Sequence, residues 1–134
     1  MDKLVGLYID DEPKNLTVMQ GRFSLCEGIE VIGLDEFPET LDNIYDIIVR
    51  NNIGFLIIDR EFEKIPVSYN GTDILHAVRK QDPTIYAILL TNSSPDDYQD
   101  ELGEYDSQFR KIDLADSYIM DCMISRIKRA CSCE

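Results

Sequence analysis

The feature that most constrains the fold of this chain is a regular alternation of short apolar runs with longer stretches of helical periodicity. Leu4–Ile9, 55–58 and 85–90 are compact apolar runs of strand length, and 30–34 and Ser107–Arg110 are weaker ones. The run at 55–58 is apolar at every position. A central strand of a parallel sheet needs that pattern, because helices cover both of its faces.

Stretches with helical spacing of apolar residues separate these runs and predict five helices. Helices are predicted from about 14 to 25, from Pro38 to before Asn51, from Gly71 to before Pro83, from 95 to 102, and from about 114 to 130. The residues expected to face the core are Leu16, Met19, Phe23 and Cys26, then Leu41, Ile44, Tyr45, Ile48 and Val49, then Ile74, Leu75 and Val78, and finally Ile119, Met120, Met123, Ile124 and Ile127.

Five strands that alternate with helices predict a parallel sheet with helices on both faces. Because crossovers between parallel strands are right-handed, the expected fold is a doubly wound, flavodoxin-like α/β sandwich with (βα)5 order. The 134 residues fit a single domain, 1–134, that buries its core without disulfide or metal support. The four cysteines and one histidine match no zinc pattern.

The charge balance is strongly acidic, with 26 acidic against 13 basic residues and a formal net charge of -13. Such a surface repels phosphate backbones and anionic lipid, which predicts no direct nucleic-acid or membrane binding. It suits a cation, a basic protein partner or simple solubility. The chain has no apolar run of about 18 residues and no signal-peptide pattern, so we expect a cytoplasmic protein without a membrane span.

Polar side chains follow the predicted strands at the edge where an open parallel sheet forms its functional crevice. Asp10 and Asp11 follow the first strand, Asp59 the third, Thr91 ends the fourth, and Lys111 follows the fifth. Taken singly, these residues are more typical of helix caps, turns and solvated surface. Their common position at the carboxyl ends of the strands predicts a site.

Three clustered carboxylates repel one another and need a compensating cation, for which oxygen-ligated Mg²⁺ is the natural choice. With such an ion present, an aspartate can act as a nucleophile toward a phosphoryl group. A lysine ammonium and a threonine hydroxyl would stabilise the phosphoryl oxygens.

Five short motifs carry these residues, and with them the sequence resembles response-regulator receiver domains, the CheY-like domains of two-component signalling. The motifs are LYIDDEPKNL, FLIIDRE, NGTDIL, ILLTNSS and FRKIDLAD, in the family's order and over nearly the whole chain. The third carries the family's glycine at the start of the third helix, here Gly71.

The resemblance implies a Mg²⁺ site and a phosphoacceptor. Asp10 and Asp11 would be the metal-binding acids, with Asp11 the more direct ligand, joined by Asp59 and by the backbone carbonyl of Glu61. Asp59 would accept the phosphoryl group. The switch hydroxyl and the phosphate-binding lysine would be Thr91 and Lys111.

The resemblance also implies the partners. A histidine kinase or a phosphotransfer protein would donate to Asp59, and phosphorylation would switch binding to a downstream protein target. The chain would be no enzyme beyond catalysing its own phosphorylation and dephosphorylation.

Three features depart from the family pattern. Ile112 follows the lysine where the family usually has proline, and Gln108 stands at the usual aromatic position, with Phe109 and Tyr105 nearby. The loop from Arg60 to Asn70 is longer than usual and lacks the common Met-Pro pair.

Two other functions stay open. The isoleucine and glutamine favour a binding module of the same fold that works without phosphorylation. A Mg²⁺-dependent phosphatase is disfavoured, because its two aspartates would lie two residues apart on the first strand, whereas Asp10 and Asp11 are adjacent. We expect no special role for Tyr8, Tyr45, Tyr86 or Tyr118, and we expect His76 on the surface.

Overall fold

Five parallel strands form the centre of the fold, in a computed structural model that describes residues 3–34, 36–60, 62, 67–92 and 105–131. Their order in the sheet is β2-β1-β3-β4-β5. The order reverses between β1 and β3, which creates a crevice at the carboxyl ends of these strands. The predicted doubly wound parallel sheet is therefore confirmed. The strands are β1 (Leu4–Ile9), β2 (Ile29–Gly33), β3 (Ile53–Asp59), β4 (Tyr86–Thr91) and β5 (Ser107–Arg110).

Four α-helices within the described ranges cover the two faces of the sheet. They are α1 (Pro13–Phe23), α2 (Asp42–Arg50), α3 (Gly71–Gln81) and α4 (Ser117–Cys131), and a 3-10 turn spans Lys111–Ala115. The helix predicted at 95–102 lies outside the described residues. None of the helices that the structure describes is long and apolar enough to cross a membrane.

The alternation of side chains along the strands divides the core into two layers. Phe55 and Ile57 join residues of α1 and α4 on one face, whereas Leu56 and Ile58 join residues of α2 and α3 on the other. All four side chains are fully buried. This confirms the prediction that the run at 55–58 forms a central strand.

The predicted start of the second helix is wrong. α2 begins at Asp42 rather than at Pro38, and Val49, predicted to face the core, is 61% exposed. The Pro38 carbonyl accepts a hydrogen bond from the Tyr69 hydroxyl, a contact with a residue 31 positions away. Because the first turn of the predicted helix is thus used in a tertiary contact, the helix begins four residues later.

The last helix also begins later than predicted. Leu114 lies in the 3-10 turn, where it is buried, and α4 starts at Ser117. The Asp116 side chain accepts a hydrogen bond from the Tyr118 backbone N–H at 2.8 Å, which satisfies a donor of the first turn. The predicted inward residues Met120, Met123, Ile124 and Ile127 are buried.

Candidate functional site

The carboxyl ends of the strands bring the predicted acidic residues together. Carboxylate oxygens of Asp10, Asp11 and Asp59 lie within 4.8 Å of one another. Lys111 reaches the same point from the end of β5, with its Nζ 2.8 Å from Asp59 Oδ2 and 3.3 Å from Asp10 Oδ2. Four of the predicted site residues therefore form one cluster.

Lys111 reaches this cluster from the first position of the 3-10 turn. No peptide bond in the described ranges is cis, so the lysine enters the crevice through a trans bond to Ile112, whose own side chain is exposed. Burial alone would lower the pKa of Lys111, but its hydrogen bond to Asp59 and the charge of Asp10 outweigh burial and raise it. The ammonium is therefore held in its charged form beside the carboxylates.

Asp10 is enclosed by hydrogen-bond donors on both oxygens. Oδ2 accepts from the Tyr8 hydroxyl at 2.7 Å and from Asn15 Nδ2 at 3.0 Å, and Oδ1 accepts from the Glu12 backbone N–H at 2.9 Å. Burial would raise the pKa of Asp10, but these bonds and the Lys111 charge hold it below its ordinary value. Asp10 is thus an ionised, oriented carboxylate.

Tyr8 and Asn15 were not among the residues predicted to belong to the site. Tyr8, for which no special role was expected, is buried and contacts Asp10 directly. Burial and the Asp10 carboxylate raise the pKa of this phenol far above its usual range, so it stays a donor. A signal was present, because residues two apart on a strand face the same side.

Asp59 ends β3 almost fully buried, at 2% exposure, and its surroundings are fixed by the start of α3. Asn70 caps this helix reciprocally with Asp73, and the Gly71 backbone N–H donates to the Arg60 carbonyl at 2.9 Å. The backbone of Gly71 lies so close to Asp59 that an added Cβ would stand 1.8 Å from the Asp59 carbonyl oxygen. The glycine that follows the loop is therefore required by contact with the central aspartate.

Thr91 and Glu61 complete the predicted set. Thr91 is the last residue of β4 and is 1% exposed, one position beyond the Asp59–Leu90 pair of the ladder, so it lies at the same edge of the sheet. Glu61 lies outside the described residues.

The donor set fits a hard divalent cation. Three carboxylates offer oxygen ligands, and the contacting ammonium of Lys111 supplies one positive charge against their three negative ones. Oxygen-only donors with excess negative charge are the kind of site that Mg²⁺ occupies. The cluster contains neither the thiolate nor the imidazole ligands that zinc favours.

Comparison with known proteins places this geometry on a familiar fold. Neither a protein-family model nor a curated protein matches the sequence. Among solved structures, the receiver domain of a Francisella response regulator is 20% identical, with a TM-score of 0.69 and 96% of each chain covered. A CheY-like receiver domain protein from Methanospirillum hungatei is 18% identical, with a TM-score of 0.71, covering 96% of this chain and 97% of that one.

A third similar structure was solved with ligands. The Thermotoga maritima response regulator TrrA, in complex with Mg²⁺ and BeF, is 21% identical, with a TM-score of 0.69, covering 95% of this chain and 98% of that one. This chain has the receiver-domain fold. At such identities the likeness establishes the fold alone.

The receiver fold is retained although the usual aromatic residue of β5 is replaced. Gln108 pairs with Leu89 in the ladder, and its Oε1 accepts a 3.3 Å hydrogen bond from the Tyr105 hydroxyl. Its Nε2 is buried and finds no partner within the described ranges. Phe109 packs against the α1 and α4 layer instead, with the Arg126 guanidinium 5.4 Å from its ring centroid.

The loop after β3, predicted to be longer than is usual in receiver domains, is anchored by aromatic side chains. The Phe62 ring packs edge-on against Phe37 at 5.0 Å and against Tyr69 at 6.4 Å between centroids. The Tyr69 hydroxyl donates to the Pro38 carbonyl. This aromatic clasp of Phe37, Phe62 and Tyr69 attaches the loop to the segment before α2.

Proposed function

We propose that this chain is a phosphoacceptor receiver domain, in which Asp59 takes a phosphoryl group and thereby switches the binding of protein partners. The observation that carries the proposal is the 2.8 Å contact of Lys111 Nζ with Asp59 Oδ2 inside a cluster of three carboxylates. Mutual repulsion of the carboxylates disfavours this arrangement unless positive charge offsets it, from Lys111 and from a bound metal ion.

The cation in this proposal is Mg²⁺. Asp10, Asp11 and Asp59 would hold it, together with the backbone carbonyl of Glu61, and the bound ion would neutralise charge on the phosphoryl oxygens. Support comes from the oxygen-only donor set and from TrrA, which was solved with Mg²⁺ and BeF.

In the transfer step, an Asp59 carboxylate oxygen forms a bond to phosphorus while the bond between phosphorus and the donor's leaving atom breaks. Lys111, which starts on the Asp59 carboxylate, then contacts an oxygen of the transferred group. The Thr91 hydroxyl binds another oxygen from the neighbouring strand. Because these contacts strengthen as charge gathers on the phosphoryl oxygens, they stabilise the transition state.

The proposed partners are a histidine kinase or phosphotransfer protein as donor and a second protein as target. Phosphorylation would shift an existing equilibrium between two conformations, read out on the face formed by β5 and α4. The net charge of -13 supports a protein partner rather than direct contact with nucleic acid. A cytoplasmic location belongs to the same proposal.

Intact-mass spectrometry after incubation with Mg²⁺ and acetyl phosphate tests this function, with Asp59→Asn in parallel. We expect one added phosphoryl group on the wild type, none on the variant, and none on either protein in excess EDTA. Addition to Asp59→Asn at the wild-type level would place the phosphoryl group elsewhere and refute the assignment.

A second candidate, a binding module that works without phosphorylation, is favoured by Gln108, because an amide stands where the receiver fold usually carries an aromatic residue. This candidate predicts that neither the wild type nor Asp59→Asn gains a phosphoryl group in the mass-spectrometry experiment, although the wild type binds Mg²⁺. It also predicts that Asp59→Asn binds the target as tightly as the wild type does.

A further inference from the structure

We propose that Tyr8 sets the cation preference of the site, by holding Asp10 so that its Oδ2 cannot coordinate the ion directly. The inference rests on the proposed Mg²⁺ site and concerns a residue outside its ligand set. Tyr8 is in this sense a positioning residue, which acts on the ion through Asp10.

The contacts of Asp10 Oδ2 leave no lone pair for a metal. This oxygen faces three donors: the Tyr8 hydroxyl at 2.7 Å, Asn15 Nδ2 at 3.0 Å and Lys111 Nζ at 3.3 Å. A carboxylate has about four acceptor positions on its two oxygens, so one oxygen offers about two. The two closest donors, Tyr8 and Asn15, therefore fill both positions of Oδ2, whereas Lys111 lies closer to Asp59. Only Oδ1, which accepts from the Glu12 N–H, keeps a free position.

The phenol makes this orientation costly to change. Tyr8 is 3% exposed, and its ring belongs to the core layer that also contains Met19, Leu90 and Leu114. If Asp10 turned so that both of its carboxylate oxygens faced an ion, the Tyr8 hydroxyl would lose its acceptor in a buried place. An unpaired buried hydroxyl is destabilising, so this rotation is disfavoured.

A carboxylate held in this way favours a small, hydrated ion. Mg²⁺ keeps several waters and needs few protein oxygens, so Asp10 can bind one of those waters through Oδ1. Ca²⁺ takes six to eight oxygens and gains from every carboxylate that coordinates directly. By withholding Oδ2, Tyr8 disfavours Ca²⁺ more than Mg²⁺.

The test compares the dissociation constants of Mg²⁺ and Ca²⁺ by isothermal titration calorimetry on wild type and Tyr8→Phe. We expect the preference for Mg²⁺ over Ca²⁺ to fall by about tenfold or more in Tyr8→Phe, the scale of one hydrogen bond to a charged group. Tyr86→Phe is the matched control, because it removes a hydroxyl bonded to Ser107 Oγ at 2.6 Å and away from the acids. Its preference should equal that of the wild type.

Because Tyr8 lies in the core, Tyr8→Phe could also act by destabilising the fold. A second variant outside the core and a double variant separate that effect from the loss of the hydrogen bond. Asn15→Ala removes another donor from the same oxygen at a partly buried helix position, and we expect a shift in the same direction. Adding Asp10→Asn to Tyr8→Phe should abolish the gain in Ca²⁺ affinity.

The outcomes separate this inference from the proposed function. A wild type that binds Mg²⁺ and is phosphorylated, with an unchanged ion preference in Tyr8→Phe and Asn15→Ala, would overturn the role of Tyr8 alone. A wild type that binds neither ion and gains no phosphoryl group would overturn both.

Discussion

At the scale of single residues, the contact between Gly71 and Asp59 links the start of a helix to the proposed phosphoacceptor. A Cβ at position 71 would overlap the Asp59 carbonyl oxygen, which belongs to the backbone and cannot rotate away. Any side chain there would have to displace either the end of β3 or the start of α3. The end of β3 carries Asp59, and the start of α3 packs directly against it, so either movement would disturb the site.

We therefore expect Gly71→Ala to lower the free energy of unfolding by about 2 kcal/mol or more, since overpacking a rigid contact is costly. Urea denaturation measures the loss, and the rate of phosphorylation by acetyl phosphate should fall with it. Gly21→Ala is the matched control, because no atom lies within 4 Å of its added Cβ in helix α1. That variant should gain about 0.5–1 kcal/mol. Equal effects in the two variants would contradict the contact argument.

Site residues that lie at strand ends could be predicted from the sequence. Site residues that belong to the site only through a tertiary contact were harder to predict. Asp10, Asp59 and Thr91 lie where the apolar runs end, so the sequence pattern locates them at one edge. Tyr8 lies two positions before Asp10, which places both residues on the same side, but this spacing alone does not show that the hydroxyl meets the carboxylate. Asn15 joins it only because α1 begins directly after the acidic pair.

At the scale of elements, strand β5 carries an uncompensated polar group. Gln108 Nε2 is buried without a hydrogen-bond partner in the described part of the chain, and its Oε1 has only a long contact with Tyr105. A buried amide left half satisfied costs about 1–3 kcal/mol. β5 is therefore less stable than the same strand with an apolar residue at this position.

Replacing this amide should stabilise the protein. We expect Gln108→Met, which keeps the length of the side chain, to raise the free energy of unfolding by about 1 kcal/mol in chemical denaturation. The comparison is Gln20→Met, because Gln20 Nε2 donates to the Val31 carbonyl at 3.0 Å. That variant should lose a fraction of a kcal/mol or stay unchanged. A destabilised Gln108→Met would show that the amide finds a partner in solution.

The boundaries of the strands and helices show how much of the secondary structure the local sequence pattern can predict. The predicted strands lie within one or two residues of the observed ones at each end, because apolar runs and their boundaries are local signals. The starts of α2 and α4 were missed, since they depend on the Tyr69 contact with Pro38 and on the turn that follows Lys111. A hydrogen bond between residues 31 positions apart does not affect the local spacing of apolar residues from which the helices were predicted.

At the scale of the whole molecule, the net charge of -13 acts together with the acidic cluster. Like charges repel in the compact state, and any salt relieves part of this repulsion by screening. A specific site adds a second effect, because an ion that binds only the folded state stabilises it by mass action. The two effects can be separated by comparing salts.

We expect MgCl2 to raise the unfolding temperature more than NaCl of equal ionic strength. At a concentration 100 times the dissociation constant, the added stability would be about 2.7 kcal/mol. Asp11→Asn should lose this difference. Asp121→Asn, which removes the same charge from an exposed position on α4, should keep it. Differential scanning calorimetry measures the unfolding temperature of each protein in each salt. Loss of the difference in both variants would mean that Mg²⁺ acts only by screening.

The doubly wound order follows from few rules, which is why it could be predicted from the sequence. Alternating strands and helices, right-handed crossovers and one fully apolar strand leave few arrangements of five strands. The loop after β3 obeys no such rule. Its aromatic clasp joins residues of the loop to the separate segment before α2, so only the folded chain reveals it.

The ends of that loop are tied by the hydrogen bond from the Gly71 N–H to the Arg60 carbonyl, and this makes the loop a candidate for protein engineering. A loop whose ends are already joined can be lengthened at little entropic cost, since doubling its length adds only about 0.6 kcal/mol. A peptide epitope or a fluorescent tag grafted beside the exposed Ser68 would leave the sheet register untouched. It would also stand near the central aspartate, because the loop ends at Gly71, whose backbone contacts Asp59, and it could report the occupancy of the site.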